Sequence, residues 1–204
     1  MKPAPRHNPY KPSLGDRFWR SVWLPGREKA ELEQDFHYAA TVGKLWRAEL
    51  LLTEKGVDIA SGNNFAVRWA ARGGHTEMLK LLFRHGGVDV NAKDGEALIN
   101  AVTFAHHACA GLLLDNGADV SRQDFKALRT AHDKKDEAML AMLLSRAKNA
   151  NAVVAELTAA LQAEETPNKA MLHLYQNYTE GTPPPENGDR RPHGPRPQGP
   201  RPQG

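Results

Sequence analysis

The residues best suited to chemistry lie in one short run, His106, His107 and Cys109. Imidazole and thiolate are zinc ligands, but a zinc site needs about four that converge, and no second pair stands at a suitable spacing. The sequence holds no Gly-x-x-x-x-Gly-Lys-Ser/Thr phosphate loop, no Gly-x-Ser-x-Gly elbow and no His-Glu-x-x-His helix. Gly73-Gly74 is too little to cradle a phosphate, and the mixed charges from Asp133 to Glu137 suit a solvated turn. The expectation is therefore no catalytic residue, no metal and no cofactor, with a metal-dependent enzyme at His106, His107 and Cys109 as a remote alternative.

The elements that carry these residues are bounded by composition. The chain has 204 residues, 40% hydrophobic and 25% charged, as soluble domains do. No apolar run reaches the roughly 18 residues that a membrane span needs, and Met1 to Arg6 leads into no signal-like segment. One cysteine excludes an internal disulfide framework and fits a reducing compartment. The net charge of +3 is unevenly spread: residues 1–30 carry +5, 31–179 carry −3 and 180–204 carry +1. A basic surface for phosphates is thus missing from the body, which argues against nucleic acid as a partner.

Internal periodicity decides the fold. The alanines of Tyr38-Ala39-Ala40 and Trp69-Ala70-Ala71, then Ala101 and Ala131, recur at 31, 31 and 30 residues. Leu50-Leu51-Leu52, Leu81-Leu82-Phe83, Leu112-Leu113-Leu114 and Met142-Leu143-Leu144 keep the same spacing. Gly56-Val57-Asp58, Gly87-Val88-Asp89 and Gly117-Ala118-Asp119 supply a third marker. Each unit predicts a short helix, a tight turn, a second helix and a polar loop. Gly73-Gly74 should end the first helix, since glycine tolerates the left-handed conformation there. Met78, Leu79, Leu81 and Leu82 form the apolar stripe of a second helix over about 75–85. Asn63, Asp94 and Asp124 share a register just ahead of the first helices and are expected to be their N-caps.

This pattern resembles the ankyrin repeat over about residues 34–147, most closely at Ala70-Ala71-Arg72-Gly73-Gly74-His75, Leu81-Leu82 and Gly87-Val88-Asp89-Val90-Asn91. The linkers from Asp58, Asp89 and Asp119 are shorter than the family's, so the fingers should be short. The resemblance implies an all-α helical repeat solenoid of about four repeats (34–64, 65–95, 96–125 and 126–147) that binds another protein. In that frame His106 matches His75, a structural hydrogen-bonding position, and Cys109 matches the buried Met78 and Met139. The positions that vary in the family fall on Thr41 and Val42, Arg72 and Gly73, Thr103 and Phe104, and Asp133 and Lys134. Finger residues Ser61, Gly62, Lys93, Arg122 and Gln123 would border them, with Arg68, Trp69 and Arg129 on the same short helices. Trp and Arg are enriched at binding hot spots, which singles out Trp69 with Arg68 and Arg72; Trp69 half-buried between units is the other possibility. Phe104 is a large aromatic at a site expected to be exposed.

The ends differ from the body. Residues 1–12 hold four prolines and are expected to be a disordered basic arm. Residues 13–33 should form N-terminal capping helices, with Phe18, Trp19, Val22 and Trp23 on one apolar face. That face either covers the first repeat or docks on a partner or an anionic membrane. Thr166-Pro167 marks a helix start, and residues 148–178 are expected to be a degenerate C-terminal capping helix pair. The Pro/Gly/Arg-rich tail 179–204 should be disordered.

The functional expectation is a monomeric, non-catalytic adaptor, stoichiometric inhibitor or effector that grips a protein on its concave face. Its compartment would be cytoplasmic, with export by a route without a cleaved signal left open. A second reading is a peripheral membrane or scaffold protein, not membrane-inserted, recruited through the basic aromatic N-terminal arm.

Overall fold

A computed structural model describes residues 27–164 and 166–179. Those residues form ten helices and no strand: α1 Lys29–Thr41, α2 Leu45–Glu54, α3 Ser61–Arg72, α4 Thr76–His85, α5 Ala92–Thr103, α6 His107–Asp115, α7 Arg122–Asp133, α8 Glu137–Leu144, α9 Asn151–Gln162 and α10 Lys169–Thr179. The expected Phe18, Trp19 and Trp23 face and the tail from residue 180 lie outside the described residues.

Consecutive helices pair as hairpins, and the hairpins stack in chain order. The inner row α1, α3, α5, α7 and α9 packs neighbour on neighbour, as do α2, α4 and α6 and then α8 and α10 in the outer row. Small side chains permit the close inner contacts: Ala39, Ala40, Ala70, Ala71, Ala101 and Ala131 are fully buried. The outer helices contribute bulk through Leu51, Met78, Leu79, Leu81, Leu82, Leu113, Met139, Leu140 and Leu143. Each buried leucine or methionine stabilises by roughly 1.5–3 kcal/mol relative to exposure. The α9–α10 pair closes the stack with Val154, Leu161, Met171 and Tyr175, all buried. The architecture is an all-α repeat solenoid with a C-terminal helix pair.

The turn between the helices of each repeat is built in one way. The backbone at Gly43, Gly74, Ala105 and Lys135 has φ of +71°, +71°, +55° and +54°. The following N–H then donates to the carbonyl five residues back: Lys44 to Ala39, His75 to Ala70, His106 to Ala101 and Asp136 to Ala131. These are Schellman turns, which satisfy carbonyls that a helix end leaves free. Glycine fills the left-handed position in the first two repeats for a second reason. A Cβ at Gly43 would stand 2.8 Å from the His75 ring, and one at Gly74 2.7 Å from His106. Where the next repeat puts Asp136 in the histidine's register, the glycine is replaced by Ala105.

The loops depart from expectation. Asn63, Asp94 and Asp124 do not cap their helices, and no side-chain cap hydrogen bond forms at the starts of α3, α5 and α7. Each instead sits second in a run of three left-handed residues: 62–64, 93–95 and 123–125. Asn and Asp tolerate that conformation better than most residues, so the same residue types serve a turn rather than a cap. The start of α10 is also displaced. Asn168, not Thr166, accepts from the N–H groups of Ala170 and Met171.

Candidate protein-binding face

Residues of the 31-residue register meet along one side of the inner helices. His37 stacks on Phe65 with ring centroids 4.4 Å apart, and Phe65 stacks on Trp69 at 5.2 Å. The Arg72 guanidinium lies 5.3 Å from the Trp69 ring centre and 4.6 Å from that of Phe104 in the next repeat. A row of rings and one cation thus crosses three repeats. Among the described residues the exposed large apolar side chains, Tyr38 at 56%, Val42 at 38% and Phe104 at 43%, all belong to it or to its register.

The sequence-expected residues divide by what they already hold. Arg68, expected on the binding face, is only 8% exposed. It donates to the carbonyls of Asn63 and Gly62 and, at 2.7 Å, to Glu96 of the next repeat. Its charge ties down the left-handed finger turn, because two carbonyls and a carboxylate converge on one guanidinium. Arg129, in the same register two repeats later, donates to the Asp124 carbonyl and forks onto Glu156 of α9 at 2.7 and 3.0 Å. Arg122 lies 3.3 Å from Asp119 and 3.6 Å from Asp94. Thr103 is half-buried and donates to the Ile99 carbonyl on its own helix. Lys93, Asp133 and Lys134 are exposed, and Trp69 is half-buried.

Arg72 differs from these cations. Its side chain is exposed, and no hydrogen bond or ion pair among the described residues engages its N–H groups. Its carbonyl, in contrast, is held: His106 Nε2–H donates to it at 3.1 Å. His75 makes the same bond to Thr41 one repeat earlier, at 2.9 Å.

The histidine–cysteine run is taken apart by these bonds. His106 turns to Arg72, His107 donates to the Asp136 carboxylate at 2.9 Å, and Cys109 is fully buried with its Sγ 3.3 Å from Thr76 Oγ1. Burial raises the Cys109 pKa, against the lowering effect of Thr76. For Asp136, burial works toward a higher pKa, but the bonds from His107 and the Met139 N–H outweigh it and the net direction is down. Among the described residues no three His, Cys, Asp or Glu side chains come together as a metal would require. No helix among them is long and apolar enough to cross a membrane.

Sequence reasoning missed Tyr38 as a surface residue, although it stands in register with Trp69. It also missed the clasp on Arg72, because Phe104 lies 32 residues further along the chain. The register of the repeats was the signal available for both.

A model of the ankyrin repeat family, in three copies, matches residues 36–124. Ankyrin repeat domain-containing protein 29 of Danio rerio is 43% identical over 61 residues, 28% of this chain and 20% of that protein. The chain therefore spans about a fifth of the length of this curated relative. The stacked hairpins, the Schellman turns and the histidine bonds between repeats agree with the match of residues 36–124 to the ankyrin repeat family.

Proposed function

We propose that the chain is a non-catalytic adaptor or stoichiometric inhibitor that binds another protein on the concave side of its inner helices. The observation that carries this reading is the row of exposed Tyr38, Val42, Arg72 and Phe104 with the half-buried Trp69 among them. Isolated apolar residues on a surface are ordinary, but aromatics and an arginine gathered across three repeats have the make-up of an interface core. Ankyrin repeats generally mediate protein–protein interaction, and their residues of chemistry here are consumed by structural bonds. A buried lone cysteine suits the cytoplasm as the working compartment.

The experiment compares capture of partners by the wild-type chain, Arg72→Glu, Phe104→Glu and the outer-face control Glu77→Lys. Both inner-face variants should lose a specific partner by at least about tenfold, as hot-spot truncations do, and the control should keep it. Retention by both inner-face variants would place the interface elsewhere.

A further inference from the structure

We infer that Arg72 is a receptor for a carboxylate, so that the segment bound on this face presents an Asp or Glu side chain beside an apolar one. The inference rests on the proposed binding role of the inner-helix face and specifies the chemistry of its partner.

The argument starts from the contrast among the arginines. Arg68, Arg122 and Arg129 each spend their guanidinium on carboxylates of this chain. Arg72 spends none, yet it is not a loose side chain. Trp69 of its own helix and Phe104 of the next repeat lie near its guanidinium, at 5.3 and 4.6 Å, and His106 holds its backbone carbonyl. Two ring centres within about 6 Å hold a guanidinium by cation–π attraction without using a hydrogen-bond acceptor, so its N–H groups keep their capacity to donate. That edge is a planar fork, and a carboxylate offers two oxygens at matching separation. Rings beside the fork also reduce its contact with water, which strengthens an ion pair formed there.

Charge and shape favour a carboxylate of a protein over a phosphate. A phosphomonoester carries a charge of about −1.5 to −2 and gains most opposite a cluster of arginines. Here a single unspent fork stands among apolar side chains, and Arg68 beside it is already paired with Glu96. Phe104 offers apolar contact next to the fork, and Val42 and Tyr38 are exposed on the preceding inner helix. Helices pack about 8–10 Å apart, so Tyr38 and Val42 on α1 lie one helix spacing from Arg72 on α3. An apolar side chain a few residues from the acid would reach them.

The test presents a displayed library of random short peptides to the full chain. Enriched peptides should pair Asp or Glu with a neighbouring Leu, Phe or Tyr. Arg72→Gln should weaken the best of them at least about tenfold, and so should changing the peptide's acid to its amide. Applied together, the two changes should cost little more than either alone, because they remove the same contact. Circular dichroism of Arg72→Gln checks the fold, from which the substitution takes no hydrogen bond. Independent, additive losses would overturn the inference, as would a library that enriches no acidic peptide. So would a phosphoserine in place of the acid that tightens binding more than about tenfold. Phe104→Ser separates this outcome from the broader reading. Peptides lost on Phe104→Ser but indifferent to Arg72→Gln refute the carboxylate and keep the face; peptides indifferent to both refute both.

Discussion

Arg68 and Arg72 stand one helical turn apart on α3 and have opposite duties. Arg68, itself buried, satisfies two carbonyls of a strained turn and bridges to Glu96, so its loss removes all three bonds at once. Arg68→Ala is expected to destabilise by about 1.5–3 kcal/mol, the range for hydrogen bonds to a charged group, measured by urea unfolding. Arg72→Ala should change stability by less than about 0.5 kcal/mol, as exposed positions do. The pair also shows what a sequence carries. Arginine at both positions was legible as a candidate for binding, but the buried one is distinguished only by the finger that folds back over it. His37 adds a pH dependence. Burial is the largest influence on it, helped by Arg68 and opposed by Ser61 and Glu33, and its pKa is lowered. The folded state thus prefers the neutral ring, and the unfolded chain binds its proton first. Stability from this group is present above about pH 6.5 and falls as the pH drops below it. A His37→Gln variant should show a flatter stability profile between about pH 7 and 5.

At the scale of the element, the Schellman turns give the sharpest expectations. Ala105 and Lys135 occupy the left-handed site without a histidine ring above them, so glycine can replace them freely. Ala105→Gly and Lys135→Gly should each stabilise by about 0.5–1 kcal/mol, the left-handed strain relieved less the added entropy of the unfolded chain. Gly74→Ala has the opposite sign. The new methyl meets both that strain and the His106 ring at 2.7 Å, and a loss of about 1–3 kcal/mol is expected. Thermal unfolding of the three variants checks all of these. The helices and these turns were readable because the repeated alanines, leucines and glycines each have one dominant structural reason. The finger turns were not. Asn63, Asp94 and Asp124 suit a cap and a left-handed turn about equally, and only tertiary bonds such as Arg68 to the Gly62 carbonyl select between them.

Across the whole molecule, each hairpin packs on those beside it in the chain. Stability in such an array is close to a sum of units and of the contacts between neighbours. The α9–α10 pair adds the last such contact, fixed by Tyr175, whose hydroxyl meets His132 Nδ1 at 2.8 Å, and by Tyr178, which accepts from the Ala150 N–H. Tyr175→Ala should cost about 3–5 kcal/mol, the range for truncating a buried aromatic, and should loosen α7 and α8 before α1 to α4. Hydrogen exchange along the chain would show that gradient, and uniform loosening would contradict it. Tension has a related effect on a structure joined only side by side. Drawn out from its two ends, the molecule should lengthen in a staircase, each tread the release of one 31-residue unit and each roughly 100 Å of extended chain.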